Sequence, residues 1–287
     1  MVNLAYEAAT VDLEDRVLID EHHLKAYNVK TVNYNRDIEA FFLLKRILEK
    51  ITGGESMYQS PTDMGVNRAS SGIVNDDIIR EASHQEIIRR YFRCTVEYAM
   101  GLVEKDTVDR IKAIMKRAGA RPEDRKVVCP AREAAKDAEQ KGKGNNGIFS
   151  GAAIELADGT IITGKSSSLL QASSSLILNA AKHLAGLPDR MYLLPEAIID
   201  SVMHLKKVVL EGKMVSLDVD ETLIVLGISA LSNPAAKMAL ENLKLLRNCE
   251  VHLTHIPTPG DEAGWRKLKV NLTCDPEYSG KTLFPGS

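Results

Sequence analysis

Residues 151–164, Gly-Ala-Ala-Ile-Glu-Leu-Ala-Asp-Gly-Thr-Ile-Ile-Thr-Gly, restrict the folds open to this chain more than any other stretch. Asp158-Gly159 is a strong hairpin signal, because a tight turn between twisted strands needs positive φ, which glycine adopts freely. The β-branched run 160–163 favours extended backbone, and residues 148–156 supply the partner strand. A lone hairpin is marginal in water and must be completed by more strands and covered by helices. The flanking sequence offers both. Residues 126–129 are expected as a short strand, 131–140 as an Ala-rich helix, 142–147 as a flexible loop and 169–184 as a buried apolar helix. Helices are expected near 195–210, 217–229 and 234–246, then strands at 251–254 and 270–273 with a short helix near 262–268 between them.

Upstream the pattern is helical. Asn35-Arg36-Asp37 opens a run with Ile38, Phe41, Phe42, Leu44, Ile47, Leu48 and Ile51 at helical spacing, ended by Gly53-Gly54. After a polar loop over 55–75, a second helix starts at Asp76-Asp77 and ends at Gly101; a third, capped by Asp106, stops at Gly119. Arg121-Pro-Glu-Asp-Arg125 reads as a charged linker around a helix-hostile proline. The expected organisation is a mostly helical domain over 1–122 and an α/β domain over 123–287, mixed α/β as a class.

Composition excludes several functions. The 287 residues suit about two domains. Net charge is −2, with basic and acidic residues interspersed, so neither nucleic acid nor a membrane surface is an expected partner. Cys94, Cys129, Cys249 and Cys274 are too scattered for a disulfide framework and read as reduced thiols, Cys129 as a core residue. No apolar run approaches the roughly 18 residues of a membrane span, and the N-terminus is no signal peptide. The expected location is the cytoplasm.

Three motifs invite a reaction. Gly159-Thr-Ile-Ile-Thr-Gly164-Lys165-Ser166 matches the phosphate-loop expression, but its four central residues are strand formers where a wide loop is required. Leu217-Asp218-Val-Asp220-Glu-Thr222 resembles the nucleophile motif of haloacid-dehalogenase-type phosphatases. Too little chain follows it for the remaining units of that fold, and Ser216 as an N-cap with Asp218 in the first helical turn explains the same residues. Third, the hairpin followed by an apolar helix is similar to the core of cytidine-deaminase-like domains. Their zinc ligands and catalytic Glu are absent: the triplet position reads Gln171-Ala172-Ser173, and no Cys pair follows Pro257. The resemblance therefore implies a three-layer deaminase-like scaffold with no zinc.

Other stretches carry a wider resemblance. They are Val2-Asn-Leu-Ala-Tyr-Glu-Ala-Ala-Thr10, Thr31-Val-Asn-Tyr-Asn-Arg-Asp37, Ser60-Pro-Thr-Asp-Met-Gly-Val-Asn-Arg68, Gln85-Glu-Ile-Ile-Arg-Arg-Tyr-Phe92, residues 142–147, the hairpin, Asn233-Pro-Ala-Ala236 and residues 254–264. Together they resemble the uncharacterised bacterial family DUF1846 (UPF0371), over essentially the whole chain. Members look longer at the N-terminus, with a Gly-rich, phosphate-loop-like segment. On this resemblance the chain lacks that portion, and a nucleotide is expected as cofactor only with the missing upstream segment. The family's His-Ala-Ala is replaced here by Gln171-Ala172-Ser173.

Candidate site residues follow from chemistry. The segment 254–264 combines two prolines and two glycines with Thr254 and the acid/base groups His255, Asp261 and Glu262. Its structural alternative is a rigid strand-to-helix connection with an acidic helix start. Asn145, Asn146 and Gly147 form a loop that could hold an anion or a carbonyl, and Lys165 follows the hairpin toward the same cleft. In the first half, Arg36, Asp63, Asn67 and Arg68 sit at a helix start and on a long loop; Arg68 suits a carboxylate or phosphate. The leading expectation is a zinc-free protein that binds a small ligand or associates with itself as a homo-oligomer. The alternative is a fragment of a nucleotide-dependent enzyme in which Arg36, Asp63 and Arg68 supply substrate groups; the phosphatase reading ranks below it.

Overall fold

The computed structural model describes Gly53 and residues 76–144, 147–212 and 215–278. The chain divides into two compact units, Met1–Tyr91 with Lys105–Arg121, and Phe92–Glu104 with Pro122–Ser287. In the first, α1 (Asp76–Ala99, running on into the second unit) and α2 (Lys105–Ala118) are described. On α2, Val108, Ile111, Ile114 and Met115 recur at helical spacing and are buried. Gly101 and Gly119 end the two helices with φ of 73° and 69°, the left-handed conformation that closes a helix C-terminus.

The second unit is mixed α/β. Its four-stranded sheet has the order β2 (Ile161–Lys165), β1 (Gly151–Glu155), β3 (Glu250–Leu253), β4 (Asn271–Cys274). β1 is antiparallel to both β2 and β3, and β3 is parallel to β4. The hairpin turn lies where the sequence places it: Gly159 has φ 84°, and Asp158 Oδ1 accepts from Thr160 N at 2.9 Å. The Gly-Lys-Ser of the phosphate-loop match therefore ends an edge strand, with no wide loop before it.

The helices are α3 (Val128–Gln140), α4 (Ala172–Leu184), α5 (Glu196–His204, continued by a π turn Leu205–Val209), α6 (Val219–Ser229), α7 (Pro234–Asn242, continued by a 3₁₀ turn Leu243–Leu246) and α8 (Pro259–Leu268). The two-residue period of the strands sorts them. Ala152, Ile154, Val251, Leu253 and Cys274 join the main core with Leu176, Ile177 and Trp265, the α4 and α8 side. Ala153 joins Val127 and Ala131, the α3 side.

Two glycines make this sandwich thin. A Cβ on Gly151 would lie 2.1 Å from Ala131 O and 2.5 Å from Ala135 N, the backbone of α3. A Cβ on Gly164 would lie 2.3 Å from Leu176 N and 2.6 Å from Ala172 O, the backbone of α4. The hairpin thus begins and ends on glycines that admit one helix from each face. Gly264 repeats the device where α8 meets α6: a Cβ there would meet Val219 Cγ1 at 2.1 Å.

Four local expectations are corrected. Residues 126–129 form no strand but a turn leading into α3; Pro130 falls in the first helical turn, where its missing N–H is not needed. Asp218, not Ser216, caps α6, in a reciprocal capping box with Glu221. Cys129 is exposed rather than a core thiol. Arg125, read as part of a charged linker, is 1% exposed. Among the described residues no helix is long and apolar enough to cross a membrane.

Candidate functional site

β2 is the outer strand, and a cleft of about 840 Å³ runs along it, within the size range of small-ligand sites. One wall is α3, through Pro130, Glu133, Ala134 and Asp137; the other is α4, through Ser175, Leu178, Asn179 and Lys182. Thr163, Gly164, Lys165, Ser166 and Ser167 form its floor, and Met191, Tyr192, Leu193, Leu194 and Ile199 close one side with apolar surface. Helices from opposite faces of a sheet can share a void only beyond the sheet's edge, so the cleft exposes the edge itself.

Its charge is arranged around one carboxylate. Asp137 bonds both Lys165 and Lys141 and is held at about 2, first by Lys141 and then by Lys165. Lys182 Nζ donates to Asp189 O at 2.9 Å, and Lys143 also lines the cleft. The lining thus carries three lysines, Lys143, Lys165 and Lys182, and two carboxylates, Glu133 and Asp137. Among the described residues, Lys165 is the one candidate from the sequence that lines this cleft. Asp137, Lys143, Asn179 and Lys182 were missed; Ser175, Leu178, Asn179 and Lys182 share one helical face, a pattern the sequence does carry.

Residues 254–264 have a different arrangement. Thr254 Oγ1 accepts from Gly151 N at 2.9 Å and bonds His255 Nδ1 at 2.9 Å, tying β1 to the end of β3. Burial holds the His255 ring below the usual imidazole range. Asp261 Oδ1 accepts from Val219 N at 3.0 Å, so a side chain at the start of α8 satisfies an orphan donor at the start of α6. Glu262 is exposed and pairs with Arg266 one turn on. No hydrogen bond among the described residues joins His255, Asp261 and Glu262. Asp218 is committed to its cap, with its carboxylate against Gly260, and Asp220 pairs with Lys267. Gly147 is described, with φ 77°; Asn145, Asn146, Arg36, Asp63, Asn67 and Arg68 lie outside the described residues.

Burial pushes the Asp261 carboxyl up to about 7, against an ordinary 3.8. The folded state therefore holds a proton that the unfolded chain releases. This contribution to stability is complete below about pH 4 and disappears as pH rises through 7. Asp261→Asn keeps the Oδ1 acceptor and carries no charge. Urea denaturation between pH 4 and 8 is expected to show a smaller fall in midpoint for the variant than for the native chain. An unchanged slope counts against the burial argument.

On the α3 face a second network centres on the enclosed Arg125 and His252. Arg125 Nε donates to Thr273 Oγ1 at 3.0 Å, Nη2 donates to Val251 O at 3.2 Å and Asn271 O at 2.8 Å, and Nη1 pairs with Glu250. His252 Nδ1 bonds the same Thr273 hydroxyl at 2.9 Å, its Nε2 lies 3.5 Å from Asp275 Oδ1, and Phe92 packs on the ring at 4.7 Å. Arg132 grips Asp275 with two bonds, 3.1 and 2.8 Å. Burial raises the Asp275 carboxyl, but His252 and Arg132 outweigh it and hold it at about 2. For His252 burial dominates and lowers the ring below its ordinary value. Apart from His252 Nε2, which is buried without a hydrogen bond, the groups named here bond one another or the backbone of β3 and β4.

Among the described residues no group of three or more His, Cys, Asp and Glu could hold a metal ion. Gln171 and Ala172–Ser173 start α4, and Pro259-Gly260-Asp261 start α8. Neither start supplies the nitrogen and sulfur donors of a catalytic zinc site.

Comparison with known proteins agrees with the sequence resemblance. Residues 1–119 match the family model "Domain of unknown function DUF1846, N-terminal", and residues 123–284 match its C-terminal counterpart. The family's N-terminal domain, expected above to be lacking in part, is thus represented here. A UPF0371 protein of Clostridium botulinum (strain Alaska E43 / Type E3) is 51% identical over 284 residues, covering 99% of this chain and 56% of that protein. A UPF0371 protein of Clostridioides difficile (strain 630) is 48% identical over 283 residues, with the same coverage. The chain spans little more than half the length of the curated relatives it matches. With both models matched across its length, the chain belongs to the DUF1846 family of bacterial proteins.

Proposed function

We propose that the α/β unit is a ligand-binding module on a deaminase-like scaffold without zinc chemistry, and that its site is the cleft along β2. The single observation behind this reading is the cleft's composition: a ligand-sized void lined by Lys143, Lys165 and Lys182, with Glu133 and Asp137 on one wall and Leu178, Leu194 and Ile199 on an apolar side. The ligand class that fits is a polar molecule bearing at least one carboxylate or phosphate, with a short apolar portion. The order of elements, helix–hairpin–helix and, after the three further helices α5, α6 and α7, strand–helix–strand, with sheet order β2-β1-β3-β4, supports the scaffold.

The test is a calorimetric titration of the purified chain with mono- and dicarboxylates and sugar phosphates, beside the double variant Lys165→Ala, Lys182→Ala. A binder is expected, and the double variant should bind it at least about tenfold more weakly, about 1.4 kcal/mol. Binding that ignores both lysines, or stoichiometric zinc in the purified protein, overturns the reading.

A further inference from the structure

α6 lacks the polar outer face of an ordinary surface helix. From Thr222 to Leu231 the chain carries no charged side chain. Val225, Leu226 and Ser229 are buried, whereas Ile224, Ile228 and Leu231 form the opposite face and are 64%, 49% and 88% exposed. A helix that is apolar all round is normally covered on every side. The apolar surface continues past the start of this stripe. Lys206 of the π turn reaches Glu221 Oε2 at 2.7 Å, one turn before Ile224, and Leu205, Val209 and Leu210 around it are exposed. Together the six apolar side chains expose on the order of 600 Å², enough for the apolar share, about 65%, of the about 800 Å² that each partner gives to a standard homodimer. Charge does not oppose burial here, because Glu221 pairs with Lys206 and Asp220 with Lys267 within the chain.

The stripe is its own complement. Gly227 lies at its middle, and a Cβ there meets nothing within 4 Å. Two such helices can pair antiparallel about a twofold axis between residues 227 and 228. Helical spacing then sets Ile224 level with the partner subunit's Leu231, because each lies the same distance from the axis. Gly227 meets the partner subunit's Gly227 on one flank, and Ile228 meets the partner subunit's Ile228 on the other. The glycines let the two backbones approach to the short end of the usual interaxial range of about 8–10 Å, and the isoleucines close over the other flank. A methyl group at 227 is still small enough for this crossing; a larger side chain is not.

We infer that the outer face of α6 is the interface of a homodimer, in which the same stripe of two copies packs about a twofold axis at Gly227. Such an interface is isologous and closes on itself, so it stops at two subunits. None of its residues lines the cleft along β2, so the inference stands apart from the ligand reading.

The experiment is sedimentation equilibrium of the full chain from about 1 to about 100 µM, where a dimer is expected. Ile228→Glu should keep the fold, read by circular dichroism, because the position is half exposed. It should raise the dissociation constant at least about a hundredfold, since the axis places the charge in the interface twice. Gly227→Leu should weaken the dimer at least about tenfold by holding the backbones apart. Leu245→Glu, at an exposed position off the stripe, is the control and should leave the dimer unchanged. Oxidation reads the geometry. In a Cys129→Ser background, which removes the exposed native thiol, Ile228→Cys should cross-link to itself, and Ile224→Cys only when mixed with Leu231→Cys. A chain that stays monomeric leaves the face to a different partner and overturns the inference. So does a dimer that Ile228→Glu leaves intact, or one in which Ile224→Cys cross-links to itself as readily as Ile228→Cys.

Discussion

Gly151→Ala is expected to destabilise the α/β unit by about 3 kcal/mol or more, at the upper end of what overpacking a core costs. The added methyl would lie 2.1 Å from Ala131 O and 2.5 Å from Ala135 N. Both are helix backbone, so no rotamer change relieves the overlap; α3 must move off the sheet. Gly164→Ala should behave alike on the other face, because its Cβ meets the backbone of α4 at 2.3 Å. Gly227, in the middle of α6, is the control. A Cβ there meets nothing within 4 Å. Gly227→Ala should stabilise by about 1 kcal/mol through helix propensity alone. Chemical denaturation of the three variants separates the explanations. If Gly151→Ala and Gly164→Ala lose less than Gly227→Ala gains, close helix–sheet packing is not what these positions require.

The second large effect is expected at Arg125. Its guanidinium is enclosed and bonds Thr273, Val251 O, Asn271 O and Glu250. Arg125→Ala removes donors from two strands and leaves the partly buried Glu250 without this cation. Truncating one partner of a buried pair costs about 3–5 kcal/mol. Arg125→Lys should recover little, because a single ammonium cannot span β3 and β4 as the planar fork does. Thermal unfolding should place both variants well below the native chain, with Arg125→Ala lower. A midpoint within a degree or two of native for Arg125→Ala would show that the network contributes no net stability.

Much of the fold was legible locally. Asp158-Gly159 and the β-branched residues after it fix a hairpin by turn chemistry and strand propensity, and the phosphate-loop match fails for the same reason. Gly101 and Gly119 end their helices because only a residue tolerant of positive φ closes those turns cheaply. The misreadings share one cause. Val127 and Val128 look like a strand by propensity, yet the chain turns there into α3, and burial of Val127 with Ala131 and Ala153 suits a β-branched residue equally well. Arg125 looks solvent-exposed beside Pro122, Glu123 and Asp124; its partners lie more than a hundred residues away in β3 and β4.

The site divides along the same line. Lys165 was identifiable because it follows a recognisable strand. Asp137, Asn179 and Lys182 were not, because each is an ordinary polar residue on a helix surface until two helices are brought to opposite faces of β2. Asp261 is a candidate acid/base by residue type; that its carboxylate accepts from Val219 N, 42 residues away, no local pattern shows. By itself the sequence determined the hairpin, the helix ends and the family. Those depend on bonds and conformations within a few residues, or on residue identity alone. Only the tertiary structure decided which strand edge stays open, which lysines gather around it and which charged groups are enclosed. Those properties arise from pairing strands separated by about a hundred residues, and no local pattern encodes that distance.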